Sequence, residues 1–155
     1  MYFNGEPVTA YYAPRANSDT STFVVFRKSD VISAGDILDA THYPVIHLDQ
    51  DGSLNGVIEA INRLVDLAVA SYREEEGTQI IPGHGHIYNE ADVTEYRDMI
   101  TIVRDRIQDA IKKGMNLEQI KAARLTRDYD GRYGSAPGWT TDMFLEAAYK
   151  SLGGK

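Results

Sequence analysis

Pro82-Gly83-His84-Gly85-His86 is the segment of this chain best suited to chemistry. The chain has 4 histidines, and two of them fall in this glycine-rich turn at the end of the apolar run Ile80-Ile81. Imidazole is the commonest metal-ligating side chain. Flanking glycines let backbone come close to a bound ion. In an extended turn, residues two apart project to one side, so His84 and His86 can face one ion. Two solvent-exposed loop histidines are the competing reading. A second candidate is Asp36, which follows Gly35 directly at the end of the apolar run Val31–Ala34. A carboxylate held at a strand end by a glycine turn is a common ligand placement, and a turn or cap aspartate is the ordinary alternative. His42 and His47 flank Pro44 and read as exposed loop residues.

Other motifs fall away. Asp49-Gln50-Asp51-Gly52-Ser53-Leu54 looks like a fragment of a calcium loop, but aligning Gly52 with the invariant glycine puts His47 and Ile58 at ligand positions, which excludes an EF-hand. Asp128–Gly134 mixes charge with tyrosines and reads as a solvated loop or a pocket rim. There is no Gly-x-Ser-x-Gly elbow, P-loop or dinucleotide-binding glycine motif.

The totals fit one soluble domain spanning residues 1–155. With 0 cysteines, disulfides, thiolate ligands and cysteine nucleophiles are excluded. The net charge of −7 and the lack of Lys/Arg clusters argue against nucleic acid as a partner. No apolar run reaches the roughly 18–20 residues of a membrane helix. No signal peptide is visible at Met1–Glu6, so a cytoplasmic location is the default expectation.

The elements that must position these residues follow from periodicity. Val8–Tyr12, Thr22–Arg27 and Val31–Ala34 read as three short strands of an antiparallel meander. Ser53 caps a helix whose apolar positions run from Leu54 to Ala68, with Arg73–Gly77 closing it. Thr78–Ile81 is a fourth strand. Asn89 caps a long helix with a stripe from Val93 to Ile111, ended by Gly114. Asn116 and Gln119 form a capping box for a short helix to about Arg124. A loop then runs to Pro137, and a last helix starts near Thr140–Thr141 and ends at Gly153. The amphipathic helices need a sheet face to cover, which makes the chain an α/β layered unit.

A strand ending in Gly35-Asp36, an apolar helix, then a strand ending in Pro82-Gly83-His84-Gly85 resembles the C-terminal half of the metallo-β-lactamase superfamily, from about Phe3 to Leu152. Thr126–Tyr129 and Trp139–Asp142 are similar to the helical tail of some members. The resemblance implies half of an αββα sandwich: a mostly antiparallel sheet with helices on one face, completed by dimerisation. It implies zinc as cofactor, with Asp36 matching the bridging aspartate and His84 a late histidine ligand, and with His86 in reserve. The family's His-x-His-x-Asp-His signature is absent. His84-Gly85-His86-Ile87-Tyr88-Asn89 begins like it but carries Tyr88 and Asn89 in place of Asp and His. Asn17 stands where a further histidine ligand is expected. The expectation is a truncated, hydrolase-like protein with a partial metal site. Half a sandwich would expose a sheet face, with Tyr12, Phe23, Val25 and Ile32 expected on it. A homodimer, or a partner carrying the N-terminal half, would cover that face. A non-catalytic self-associating module and one subunit of a split metallo-hydrolase are the alternatives.

Overall fold

A computed structural model describes residues 1–69 and 77–154. Its main sheet has five strands in sequential order: β1 (Tyr2–Phe3), β2 (Glu6–Tyr12), β3 (Thr22–Phe26), β4 (Val31–Gly35) and β5 (Gln79–Pro82). The first four pair antiparallel, as the expected meander does. β5 joins β4 in parallel, and α1 (Leu54–Leu67) lies in the crossover between them. Ser53 Oγ accepts from Gly56 N at the start of α1. The part of the expected helix closure at Arg73–Glu76 lies outside the described residues.

The long helix α2 (Glu90–Lys112) begins with a reciprocal capping box between Asn89 and Asp92. α3 (Leu117–Ala122) has the capping box expected from Asn116 and Gln119. The segment expected as loop instead forms α4 (Arg127–Tyr133) and a small hairpin of β6 (Ser135–Ala136) and β7 (Trp139–Thr140) before α5 (Thr141–Ser151). No side chain caps α4 at Thr126. Tertiary ties hold it instead: Tyr43 Oη donates to Asp130 Oδ1 at 2.9 Å, and Arg106 Nη2 to Asp128 Oδ2 at 2.9 Å. Such ties leave no local sequence signal. Among the described residues, no helix is long and apolar enough to cross a membrane.

The register decides which face of the sheet is covered. Thr9 pairs with Val25, Tyr11 with Phe23, Val25 with Ile32 and Ile32 with Ile80. Directly opposed residues share a face. Phe23, Val25, Ile32, Ala34 and Ile80 are buried in one core with Leu54, Val57 and Ile61 of α1 and Tyr96, Ile100 and Val103 of α2. This corrects the expected open face, because Phe23, Val25 and Ile32 lie under the helices. The open side carries Ala10 opposite Val24, Tyr12 opposite Thr22, Val8 opposite Phe26, and then Val31, Ser33 and Ile81. Of the residues expected on it, Tyr12 alone is there. A one-residue offset in pairing exchanges the two faces, and the sequence does not print that pairing.

Candidate metal centre

The parallel pair β4–β5 brings the two ends of the expected site together. Gly35 takes φ +55, a left-handed turn natural to glycine, and releases Asp36. Gly83 N donates to Gly35 O at 2.8 Å, clamping the two turns. A Cβ on Gly83 would collide with Asp36 Oδ1, so the missing side chain is the space the carboxylate uses. Gly85 has φ +98 and packs by Thr41 and Tyr88, which sets the bend between His84 and His86.

Asp36 Oδ1 lies 3.8 Å from His84 Nε2, with both side chains largely exposed at 80 % and 77 %. The distance is too long for a hydrogen bond. His86 turns its ring onto Tyr88, with centroids 4.3 Å apart. Among the described residues, no group of three or more His, Cys, Asp or Glu side chains is placed to hold an ion.

Beside the pair is a cleft of about 520 Å³, whose lining includes Asp36, His84, Asn17, His42 and His47. The two loop histidines thus border the cleft. His42 is a closed unit: Nε2 meets Asp39 Oδ2 at 3.1 Å, Nδ1 meets Tyr43 O at 2.7 Å, and the side chains of His42 and Asp39 are 20 % and 11 % exposed. Asp39 Oδ1 also accepts from Thr41 N and from Thr41 Oγ1. The three-residue spacing from Asp39 to His42 was the available signal for this pair. Tyr96 Oη donates to His42 O at 2.8 Å and fixes the loop from below. Burial pushes the Tyr96 phenol well above its ordinary range, with the Asp39 charge adding to it.

Asn17 is buried, and its amide serves structure. Nδ2 donates to Val45 O at 3.0 Å, and the Asn17 backbone carbonyl accepts from His47 N at 2.9 Å. Its Oδ1 is buried without a partner among the described residues. The lining also holds a run of hydroxyls in which Ser18 Oγ lies 3.1 Å from Thr20 Oγ1 and 3.5 Å from Ser21 Oγ.

No protein-family model matches the sequence, and no curated protein matches it. Solved structures do match the fold. A double mutant of the sec-alkyl sulfatase PisA1 is 13 % identical and superposes over 97 % of this chain and 24 % of its own, with a TM-score of 0.65. A metallo-β-lactamase from Pontibacter korlensis is 15 % identical over 65 % of this chain and 44 % of its own, at 0.48. The B3 metallo-β-lactamase BLEG-1 is 18 % identical over the same 65 % and 44 %, at 0.49. The chain spans between 24 % and 44 % of the lengths of these structures. In fold, this chain is similar to one part of the sec-alkyl sulfatase structure, and its own α/β unit carries Asp36 and His84 at the ends of its parallel strand pair.

Proposed function

We propose that Asp36 and His84 are two ligands of a zinc centre in a hydrolase-like protein, with the remaining ligands supplied by a second copy of this chain. The observation that carries this reading is the open 3.8 Å approach of Asp36 Oδ1 to His84 Nε2. Two ligands on a tetrahedral zinc, each at about 2.0–2.1 Å, stand roughly 3.3 Å apart. The pair is therefore within a small side-chain adjustment of chelation, whereas Asp39 and His42 at 3.1 Å have closed on each other. An oxygen and an imidazole nitrogen are donors zinc accepts. A catalytic zinc takes about three protein ligands, so the pair fits as part of a centre. His86, on the same turn, is the third candidate.

A zinc ion held there would lower the pKa of a bound water and polarise a carbonyl or phosphoryl oxygen. The chain's own contribution is positional. Gly35 and Gly83 hold the Asp36 carboxylate, Gly85 orients His84, and the cleft offers neutral hydroxyls from Ser18, Thr20 and Ser21 as hydrogen-bonding partners. Metal analysis after zinc dialysis tests the reading. Zinc retained by the wild type and lost from both Asp36→Ala and His84→Ala supports it; a wild type that retains none overturns it.

The alternative is a non-catalytic, self-associating module. The absence of a three-donor cluster among the described residues, together with the Asn17 amide committed to Val45, favours it. Self-association that persists without metal and is indifferent to Asp36→Ala and His84→Ala would select it. A split metallo-hydrolase would instead gain zinc and activity only when the complementary half is added.

A further inference from the structure

We propose that the Tyr88 ring is a latch that holds His86 out of the metal centre, so that only Asp36 and His84 of this turn pair face an ion. This role rests on the zinc reading of Asp36 and His84. Two observations set His86 apart. His84 lines the cleft beside Asp36, and that lining does not take in His86. The exposed His86 ring lies instead against Tyr88, with centroids 4.3 Å apart and planes inclined at 53°.

The latch is made of fixed parts. Tyr88 N donates to Ile80 O at 2.9 Å, and Ile80 N donates to Tyr88 O at 2.8 Å. This double bridge ties Tyr88 to β5 and closes the turn that carries His84 and His86. The Tyr88 side chain is 4 % exposed and reaches back to the middle of the turn, where a Cβ on Gly85 would stand 3.3 Å from Tyr88 Oη. Gly85 itself takes φ +98. An extended backbone there would send His84 and His86 to one side. The left-handed bend departs from that arrangement, and it is easy for glycine and strained for other residues. The placement of His86 therefore depends on one ring and one missing side chain, neither of them a ligand.

The strength of the contact suits a latch rather than a wall. An aromatic pair favours the closed arrangement by a factor of roughly two to ten. A ligand whose competent state is only partly populated binds more weakly by that fraction. Zinc reaches His86 only when its ring has left Tyr88, so the stack lowers any affinity gained through His86 by the same factor. Freeing the ring restores it. His86 would then join Asp36 and His84 as the third protein ligand that a catalytic zinc takes.

Zinc titration of the full chain, with proton NMR of the histidine rings and circular dichroism as a check on folding, tests the latch. Tyr88→Leu removes the ring, and Gly85→Ala disfavours the left-handed bend. Each is expected to tighten zinc binding roughly two- to tenfold, and adding His86→Ala to either is expected to abolish the gain. Tyr88→Phe keeps the ring, and Tyr88 Oη makes no hydrogen bond among the described residues, so this variant is expected to bind zinc as the wild type does. In the metal-free chain the His86 ring protons should carry a ring-current shift that Tyr88→Phe preserves and Tyr88→Leu removes. A Tyr88 that served folding alone would change stability without any gain that depends on His86. A folded Tyr88→Leu with no such gain, beside a wild type that binds zinc, overturns the latch and keeps the zinc reading. A gain that survives His86→Ala also overturns the latch. A wild type without zinc, beside a Tyr88→Leu that binds it through His86, sustains the latch and removes the reading of Asp36 and His84 as sufficient in the wild type. Zinc bound by none of these chains overturns both. If Tyr88→Leu fails to fold, Gly85→Ala in the exposed turn decides by the same outcomes.

Discussion

The carboxylate of Asp36 occupies the space that a side chain on Gly83 would fill, and Gly83 N reaches across to Gly35 O at 2.8 Å. The glycine of one strand end thus shapes the acid of its neighbour. Gly83→Ala is expected to push Asp36 away from His84 and weaken zinc binding by about 10–100-fold, the usual cost of disturbing a residue that supports a ligand. The turn lies at the surface, so the fold should persist. Zinc titration alongside a thermal melt separates the two effects, and unchanged affinity in a folded variant counts against the placement of Asp36 in the site.

The two His–Asp pairs of the cleft should respond in opposite ways to truncation. His84 is 77 % exposed and does not hydrogen-bond Asp36. His84→Ala is expected to change stability by no more than about 0.5 kcal/mol and to remove metal. His42 joins Asp39 to the Tyr43 carbonyl in a partly buried loop. His42→Ala strands both acceptors and is expected to cost about 1–3 kcal/mol, with metal binding retained. Denaturant melts and metal analysis of both variants check the contrast; equal destabilisation would mean that His84 has a structural role.

Much of this arrangement was legible in the sequence because it is local. Glycine turns at Gly35-Asp36 and Gly83-His84, the capping residues Ser53, Asn89 and Asn116, and the apolar stripe of α2 each announce themselves within a few residues. What was not legible depends on distant partners. α4 contains Gly131 and lacks a side-chain cap, and it stands because Asp130 accepts from Tyr43, 87 residues away. The open face of the sheet turns on whether Phe23 lies opposite Tyr11 or Tyr12, and alternation alone is satisfied by either. His42 looked like a plain loop residue because its place in the cleft is set by Tyr96, 54 residues on.

The chain leading into the loop of Asn17 and Ser18 is held by a similar close approach. Gly56 lies where any Cβ would strike the Arg15 carbonyl, which also accepts from Ser53 N and Ser53 Oγ. Gly56→Ala gains helix propensity of about 1 kcal/mol at most but overpacks a contact made by backbone, which costs about 1–3 kcal/mol or more. Net destabilisation is therefore expected, together with displacement of the loop carrying Asn17 and Ser18. A denaturation midpoint equal to or above that of the wild type would show that the loop yields freely there.

Alkaline pH should unfold the protein through its buried phenols. Burial raises Tyr96 well above 10.0, and Tyr43, Tyr133 and Tyr88 are raised for the same first cause. In the unfolded chain these groups lose their protons near pH 10. Below that pH both states hold the proton and stability is flat. Above it the unfolded state binds fewer protons than the folded one, so unfolding free energy falls as pH rises towards the raised folded values. Tyr96→Phe removes the titrating group along with its hydrogen bond to His42 O. The variant is expected to be less stable at neutral pH, by about 0.5–1.5 kcal/mol, yet to lose less stability between pH 9 and pH 11. Urea melts of wild type and variant across that range give the two slopes. Parallel slopes would mean that Tyr96 ionises as readily folded as unfolded, which its burial beneath the cleft does not allow.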